Sequence, residues 1–186
     1  MDKFDIGNIL QIEELTSELD FERASALQLK LRWMVKKDES LRPIRDHLRL
    51  MIKNYENQNW FDIGVISQEE INESEKAEVL VSSENRFIFE RRKLIRNKLA
   101  EYGLKQSDLA NILGHRSNYM SELMNGVRSF SKDDIVIIHR LLKIKLDFLI
   151  FPFVKDEVAR HIKSTLFALN NSKIKLSNKD LDFTLA

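Results

Sequence analysis

The chain has 186 residues, 43% of them hydrophobic, with only 5 Gly and 2 Pro, a balance that suits one or two domains of helices joined by short loops. It contains no Cys, which excludes disulfides, cysteine-based zinc sites and thiol nucleophiles. Net charge is only +1, so any attraction to nucleic acid has to come from how the charge is distributed. Residues 1–22 are acidic, with Asp2, Asp5, Glu13, Glu14, Glu18, Asp20 and Glu22 against Lys3 alone. They carry neither a basic leader nor an apolar run of signal-peptide type, and a cytoplasmic location is expected. Ser17-Glu18-Leu19-Asp20 has the pattern of a capping box and predicts a helix to about Lys37, with Ala24, Leu27, Leu31, Met34 and Val35 on one face. Asp38-Glu39-Ser40 breaks it. Ser40 is a candidate N-cap for a second helix, with Pro43 in its first turn and Leu41, Ile44, Leu48, Met51, Ile52 and Tyr55 in register to about Asn57. Two such helices form an αα-hairpin that must bury its apolar faces against itself or a partner.

A connector containing Trp60, Phe61 and Gly64 follows. Ser67-Gln68-Glu69-Glu70 then opens an acidic helix that either runs on or breaks near Ser82-Ser83. Between 86 and 105 the charge inverts, with Arg86, Arg91, Arg92, Lys93, Arg96, Lys98 and Lys105 against Glu90 and Glu101. Phe87, Leu94, Ile95 and Leu99 make one helical stripe, stopped at Tyr102-Gly103. Short helices are expected from Gln106 to Leu113 and from Ser117 to Asn125, ended by Gly114 and Gly126. Ser131-Lys132-Asp133-Asp134 caps a fourth, and Lys145 to Ile150 is a fifth. A weaker helix with Val158, Ile162, Leu166 and Leu169 leads into a polar tail. The apolar run Phe148–Val154 is too short to cross a bilayer.

The most informative stretch runs from Leu104 to Arg128. Leu109, Ala110, Leu113, Met120 and Leu123 stand where two crossing helices must be apolar, Ala110 is small at the expected crossing, and Gly114 permits the turn. Gln106, Leu109-Ala110, Leu113-Gly114, Met120/Leu123 and Asn125-Gly126-x-Arg128, continued through Ile135…Leu142 to Leu146-Asp147-Phe148-Leu149, resemble the helix-turn-helix of the Cro and lambdoid-repressor superfamily. Lys105 and Arg116 depart from it, standing where that family usually caps its helices with Thr or Ser. Composition and helical spacing predict an all-α fold with an N-terminal helical hairpin (1–62), an acidic connector (63–84) and a weak helix and tail (153–186), and between them the resemblance implies a five-helix Cro/repressor-like helix-turn-helix domain (85–152). The resemblance also implies that Gln106 bonds a phosphate, that Ser117, Asn118 and Glu122 face base edges with Arg116 and Tyr119 beside them, and that Arg128, Lys105 and Lys132 hold the backbone of double-stranded DNA. Asn118 suits adenine. Glu122 either accepts from cytosine or pairs with a nearby Arg, because phosphates repel it.

Arg116 to Arg128, together with Leu15-Thr16-Ser17-Glu18-Leu19-Asp20-Phe21-Glu22-Arg23-Ala24 and Leu48-Arg49-Leu50-Met51-Ile52-Lys53-Asn54-Tyr55-Glu56, is similar to HigA-type antitoxins. That resemblance implies a homodimer that represses its own operon at an inverted repeat and neutralises an mRNA-cleaving toxin. A stand-alone phage-type regulator, or an interaction scaffold that has lost DNA binding, remain the other readings. His47, His115, His139 and His161 have no metal-ligand spacing, and there is no phosphate loop, so no metal, cofactor or catalytic residue is expected. Trp33 and Trp60 are either partner anchors or packing residues.

Overall fold

The computed structural model describes residues 3–59, 67–152, 154, 156–169 and 173–174, and every regular element among them is helical. The expected connector with Trp60, Phe61 and Gly64 lies outside the described residues, as does most of the tail after 169. No helix among the described residues is long and apolar enough to cross a membrane. Residues 1–149 form one compact unit and residues 150–186 a second.

In the first unit, helix α1 spans Glu18–Met34. Ser17 caps it by accepting from the Asp20 N–H at 3.2 Å. Asp20 does not complete the expected box. Its carboxylate turns instead to the Thr16 N–H and hydroxyl at 3.2 and 2.9 Å and to the Lys3 ammonium at 2.5 Å. Burial pushes this carboxyl up, but the bonds from Lys3 and Thr16 outweigh it and hold the group below its ordinary range. After α1, Asp38 caps a single 3-10 turn, Glu39–Leu41, by accepting from the Ser40 N–H at 3.1 Å. Ser40, expected to cap the second helix, lies inside this turn instead. Helix α2, Arg42–Asn59, follows, with Pro43 in its first turn where a missing N–H is harmless.

The facing stripes of α1 and α2 bury Phe21, Ala24, Leu27 and Leu31 against Leu48, Met51 and Tyr55. The Phe21 and Tyr55 rings stack at 5.2 Å. The first residues of the chain close this core by inserting Phe4, Ile6 and Ile9, and Val127 joins it from far along the sequence.

Helix α3 spans Gln68–Glu101, 34 residues or about 50 Å at 1.5 Å per residue. Ser67 and Glu70 start it with a reciprocal capping box. Nothing between them and Gly103 is Gly or Pro, so Ser82-Ser83 does not break it, and the domain boundary expected at 84/85 falls inside one helix. Its first half packs along α1, where Glu84 receives the Arg23 guanidinium, with Nε to Oε2 at 3.2 Å. Its second half gives Ile95 and Leu99 to a separate core. That core is completed by α4 (Gln106–Ile112), α5 (Ser117–Asn125), α6 (Lys132–Leu142) and a 3-10 turn at Leu146–Phe148 in place of the expected fifth helix. Leu109, Ala110, Met120, Leu123, Met124, Phe130, Ile138, Leu142 and Leu149 fill it. In the second unit α7 spans Asp156–Leu169 and leaves Val158, Phe167 and Leu169 exposed.

Candidate nucleic-acid interface

Three glycines shape the region around α4 and α5. Gly103, Gly114 and Gly126 have φ of +67°, +72° and +67°, the left-handed conformation that side chains with a Cβ resist. After each, the next N–H reaches back five residues: Leu104 to Leu99 at 2.9 Å, His115 to Ala110 at 2.8 Å, and Val127 to Glu122 at 3.1 Å. These Schellman closures satisfy the last carbonyls of α3, α4 and α5 and turn the chain sharply each time. Gly114 has open space around it, whereas a Cβ at Gly126 would stand 2.6 Å from Ile88 Cδ1.

Lys105 and Arg116 occupy the N-cap positions of α4 and α5, and neither side chain caps its helix. At α4 the loss is made up from within, because the Asp108 carboxylate accepts from the Lys105 N–H at 2.7 Å. Ala110 is 1% exposed and Met120 fully buried, so the two helices meet on small and flexible side chains. The first turn of α5 then points away from the core. Arg116, Ser117, Asn118 and Tyr119 are exposed, as are Lys105 and Lys132, and Gln106 is partly so. The chain thus brings eight of the nine residues singled out from the sequence to an accessible surface of α4, α5 and the segment up to Lys132.

Glu122 is the exception. It is 8% exposed, and its Oε2 accepts from Arg128 Nε at 2.5 Å, so the carboxylate faces Arg128 and not the solvent where a base edge would lie. One helical turn separates it from Asn118, but Leu123 and Met124 carry that part of α5 into the core. Arg128 is shared further: its Nη1 lies 3.4 Å from Asp5 Oδ1, and its guanidinium stacks 5.2 Å from the Tyr119 ring. Tyr119 packs in turn against the His115 ring at 4.9 Å, and His115 Nε2 is 2.9 Å from the buried Asp134. A connected row of polar and aromatic groups runs from Asp134 to Asp5.

Asp5, Asp38 and His115 are the participants that sequence reasoning missed. Asp5 also accepts from the Ser129 N–H at 2.9 Å, and the Ile6 N–H donates to the Val127 carbonyl at 3.0 Å. Asp38 accepts from Asn118 Nδ2 at 3.0 Å. Its neighbours, Ser40 foremost and Asn118 last, hold its carboxyl below the ordinary range. The partners stand 80 to 124 residues apart, and no local pattern signals such contacts. Charge distribution alone, an acidic head and a basic later stretch, points in their direction.

The cations between 86 and 105 do not form one stripe. Arg91 is half-buried beside the Phe87 and Phe130 rings and donates to the Leu149 carbonyl at 3.2 Å, and its removal from water lowers its guanidinium to about 10. Arg92 holds Asn125 Oδ1 at 2.6 Å, Arg96 reaches Gln106 at 3.4 Å, and Lys98 pairs with Glu101 at 2.6 Å. Arg92 and Arg96 thus tie α3 to α5 and α4. No family model, no curated protein and no solved structure matches the chain.

Proposed function

We propose that this chain is a sequence-specific DNA-binding repressor whose α4 and α5 act as a Cro/repressor-like helix-turn-helix, α5 entering the major groove by its first turn. The observation that carries the reading is the division at α5, where the N-cap Arg116 and Ser117, Asn118 and Tyr119 of the first turn are exposed while Met120, Leu123 and Met124 are buried. A helix held by one face, with amide, hydroxyl and guanidinium groups on its free first turn, is suited to reading base edges. Asn118 is the residue assigned to adenine, and Lys105, Gln106, Arg116 and Lys132 to phosphates. Glu122 serves as the anchor that aims Arg128, and has no base of its own. One short helix reads few bases, so the working form is a homodimer on an inverted repeat.

The fuller reading is an antitoxin of a type II pair, which neutralises an mRNA-cleaving toxin and represses its own operon. Its support is the resemblance of residues 15–24 and 48–56 to that class. A further support is an acidic head on which Glu13 and Glu14 are exposed, charge-complementary to an RNA-binding partner. The proposal is of a cytoplasmic binding protein with no catalytic role.

A mobility shift with the duplex upstream of the chain's own coding sequence tests the DNA reading. Asn118→Ala is expected to cost about tenfold, the loss of one bidentate base contact, with its fold unchanged. Retained affinity and sequence preference would overturn the reading. Arg128 makes a poor test residue, because removing it leaves Glu122 buried without its cation. For the antitoxin reading, the adjacent gene product expressed alone should arrest growth, and co-expression of this chain should restore it.

A second reading, an interaction scaffold without DNA binding, is favoured by one observation: Asp38 and Asp5 engage Asn118 and Arg128, the positions DNA would use. Asp5→Asn separates the two. A repressor gains affinity for DNA when this competing carboxylate loses its charge, whereas a scaffold binds no duplex with or without it.

A further inference from the structure

A cleft of about 400 Å³ opens between α1 and α2, lined by Gln28, Arg32, Arg45 and Arg49. Arg32 lies in the last turn of α1, Arg45 near the start of α2, and Arg49 one turn further on. Arg45 donates from Nε and Nη2 to Asp46 Oδ1 at 2.9 and 2.6 Å. Arg32 and Arg49 have no ion pair among the described residues. Guanidinium groups gathered around one space repel each other, and an anion placed between them removes that cost. The described side chains that line it end in guanidinium or amide groups, which offer hydrogen-bond donors to an anion and suit it better than an oily ligand. A phosphate, with several acceptor oxygens in reach of planar forks, matches it.

Position narrows the source. Arg32 and Arg45 flank the α1–α2 turn, and Asp38 in that turn is bonded to Asn118 in the first turn of α5. The cleft therefore lies at the end of the hairpin that borders the surface assigned above to DNA. We infer that Arg32, Arg45 and Arg49 hold a backbone phosphate of the nucleic-acid duplex that α5 reads, extending the contact beyond the α4–α5 pair. This inference rests on the DNA-binding reading but adds a contact indifferent to sequence.

The test uses the full chain, its own upstream duplex and a random duplex of equal length, with affinity measured by fluorescence anisotropy over a salt series. The double variant Arg32→Gln/Arg49→Gln should lose about tenfold on both duplexes, and its slope of log affinity against log salt should become shallower by about 2, the release of two phosphate contacts. Circular dichroism and melting establish that the variant is folded. If the double variant does not fold, Arg32→Gln and Arg49→Gln singly should each lower the slope by about 1. A folded variant with the wild-type slope overturns the assignment. So does a variant that keeps its DNA affinity but loses binding of a polyglutamate peptide, which would give the cleft to an acidic protein segment. Equal wild-type affinity for the two duplexes sinks sequence-specific reading while the slope still decides the cleft. Wild-type protein that ignores both duplexes at low salt overturns both proposals.

Discussion

The two buried cores of residues 1–149 use similar aliphatic side chains but are closed in different ways. Arg92 and Arg91 tie the core of α4, α5 and α6 to α3 across 33 and 58 residues, but its helix ends are closed by devices only a few residues long. These are the Schellman turns at Gly103, Gly114 and Gly126, the Asp108 bond to Lys105, and the reciprocal cap of Ser131 and Asp134. The core of α1 and α2 is closed over long distances in the chain. Tyr55 donates to Glu18 at 3.0 Å across 37 residues, His47 Nε2 lies 2.8 Å from the Ile12 carbonyl across 35, and Val127 reaches it from beyond α5. Local closure makes a region self-sufficient. Distant closure makes a region that responds to what its far partners are doing, which suits a head resting on a candidate binding surface.

The largest test of that contrast is a pair of core truncations. Leu123→Ala and Leu48→Ala, both at fully buried leucines, should each cost about 2–5 kcal/mol in chemical denaturation. Their distribution should differ. Leu48→Ala is expected to speed amide exchange in α1 and α2 while α4, α5 and α6 keep their protection. Uniform loss of protection would show a single cooperative core and end the comparison.

A smaller effect separates two glycines with almost the same backbone angle. Gly114→Ala meets open space and should cost about 1–2 kcal/mol for the left-handed conformation alone. Gly126→Ala must also displace Ile88 and should cost about 1–3 kcal/mol more. Equal melting losses would mean that α3 does not press on the end of α5.

The smallest effect lies in pH. Asp20 is held below the ordinary aspartate value by Lys3 and Thr16, so it binds its proton more weakly folded than unfolded. Its contribution is therefore complete above an unfolded value of about 3.9 and is lost as pH falls through the lower folded value. The stability gap between wild type and Asp20→Asn should be full at neutral pH and close in acid. A gap that widens on acidification would reverse the sign assigned here.

Both the fold and the candidate site were legible in the sequence where the physics is local. The helical stripes of α1 and α2, the caps at Ser17, Ser67 and Ser131, and the glycine stops all follow from spacing and backbone preference within a few residues. The same holds for the exposed first turn of α5, since Met120, Leu123 and Met124 fix which way it faces. Ser82-Ser83 was ambiguous because two serines weaken a helix without stopping it, and packing of α3 on α1 and on α4 settled its continuity.

By itself, then, the order of residues determined an all-helical chain, the places where its helices start and stop, and the accessible positions of Asn118 and Arg116. Only the tertiary structure decided that Glu122 turns inward to Arg128, that Asp5 and Asp38 rest on the candidate binding residues, and that Arg32, Arg45 and Arg49 share one cleft. Helix periodicity and glycine conformation are set by nearest neighbours along the chain. A pairing of charges 123 residues apart exists only once two packed cores have brought the backbone around.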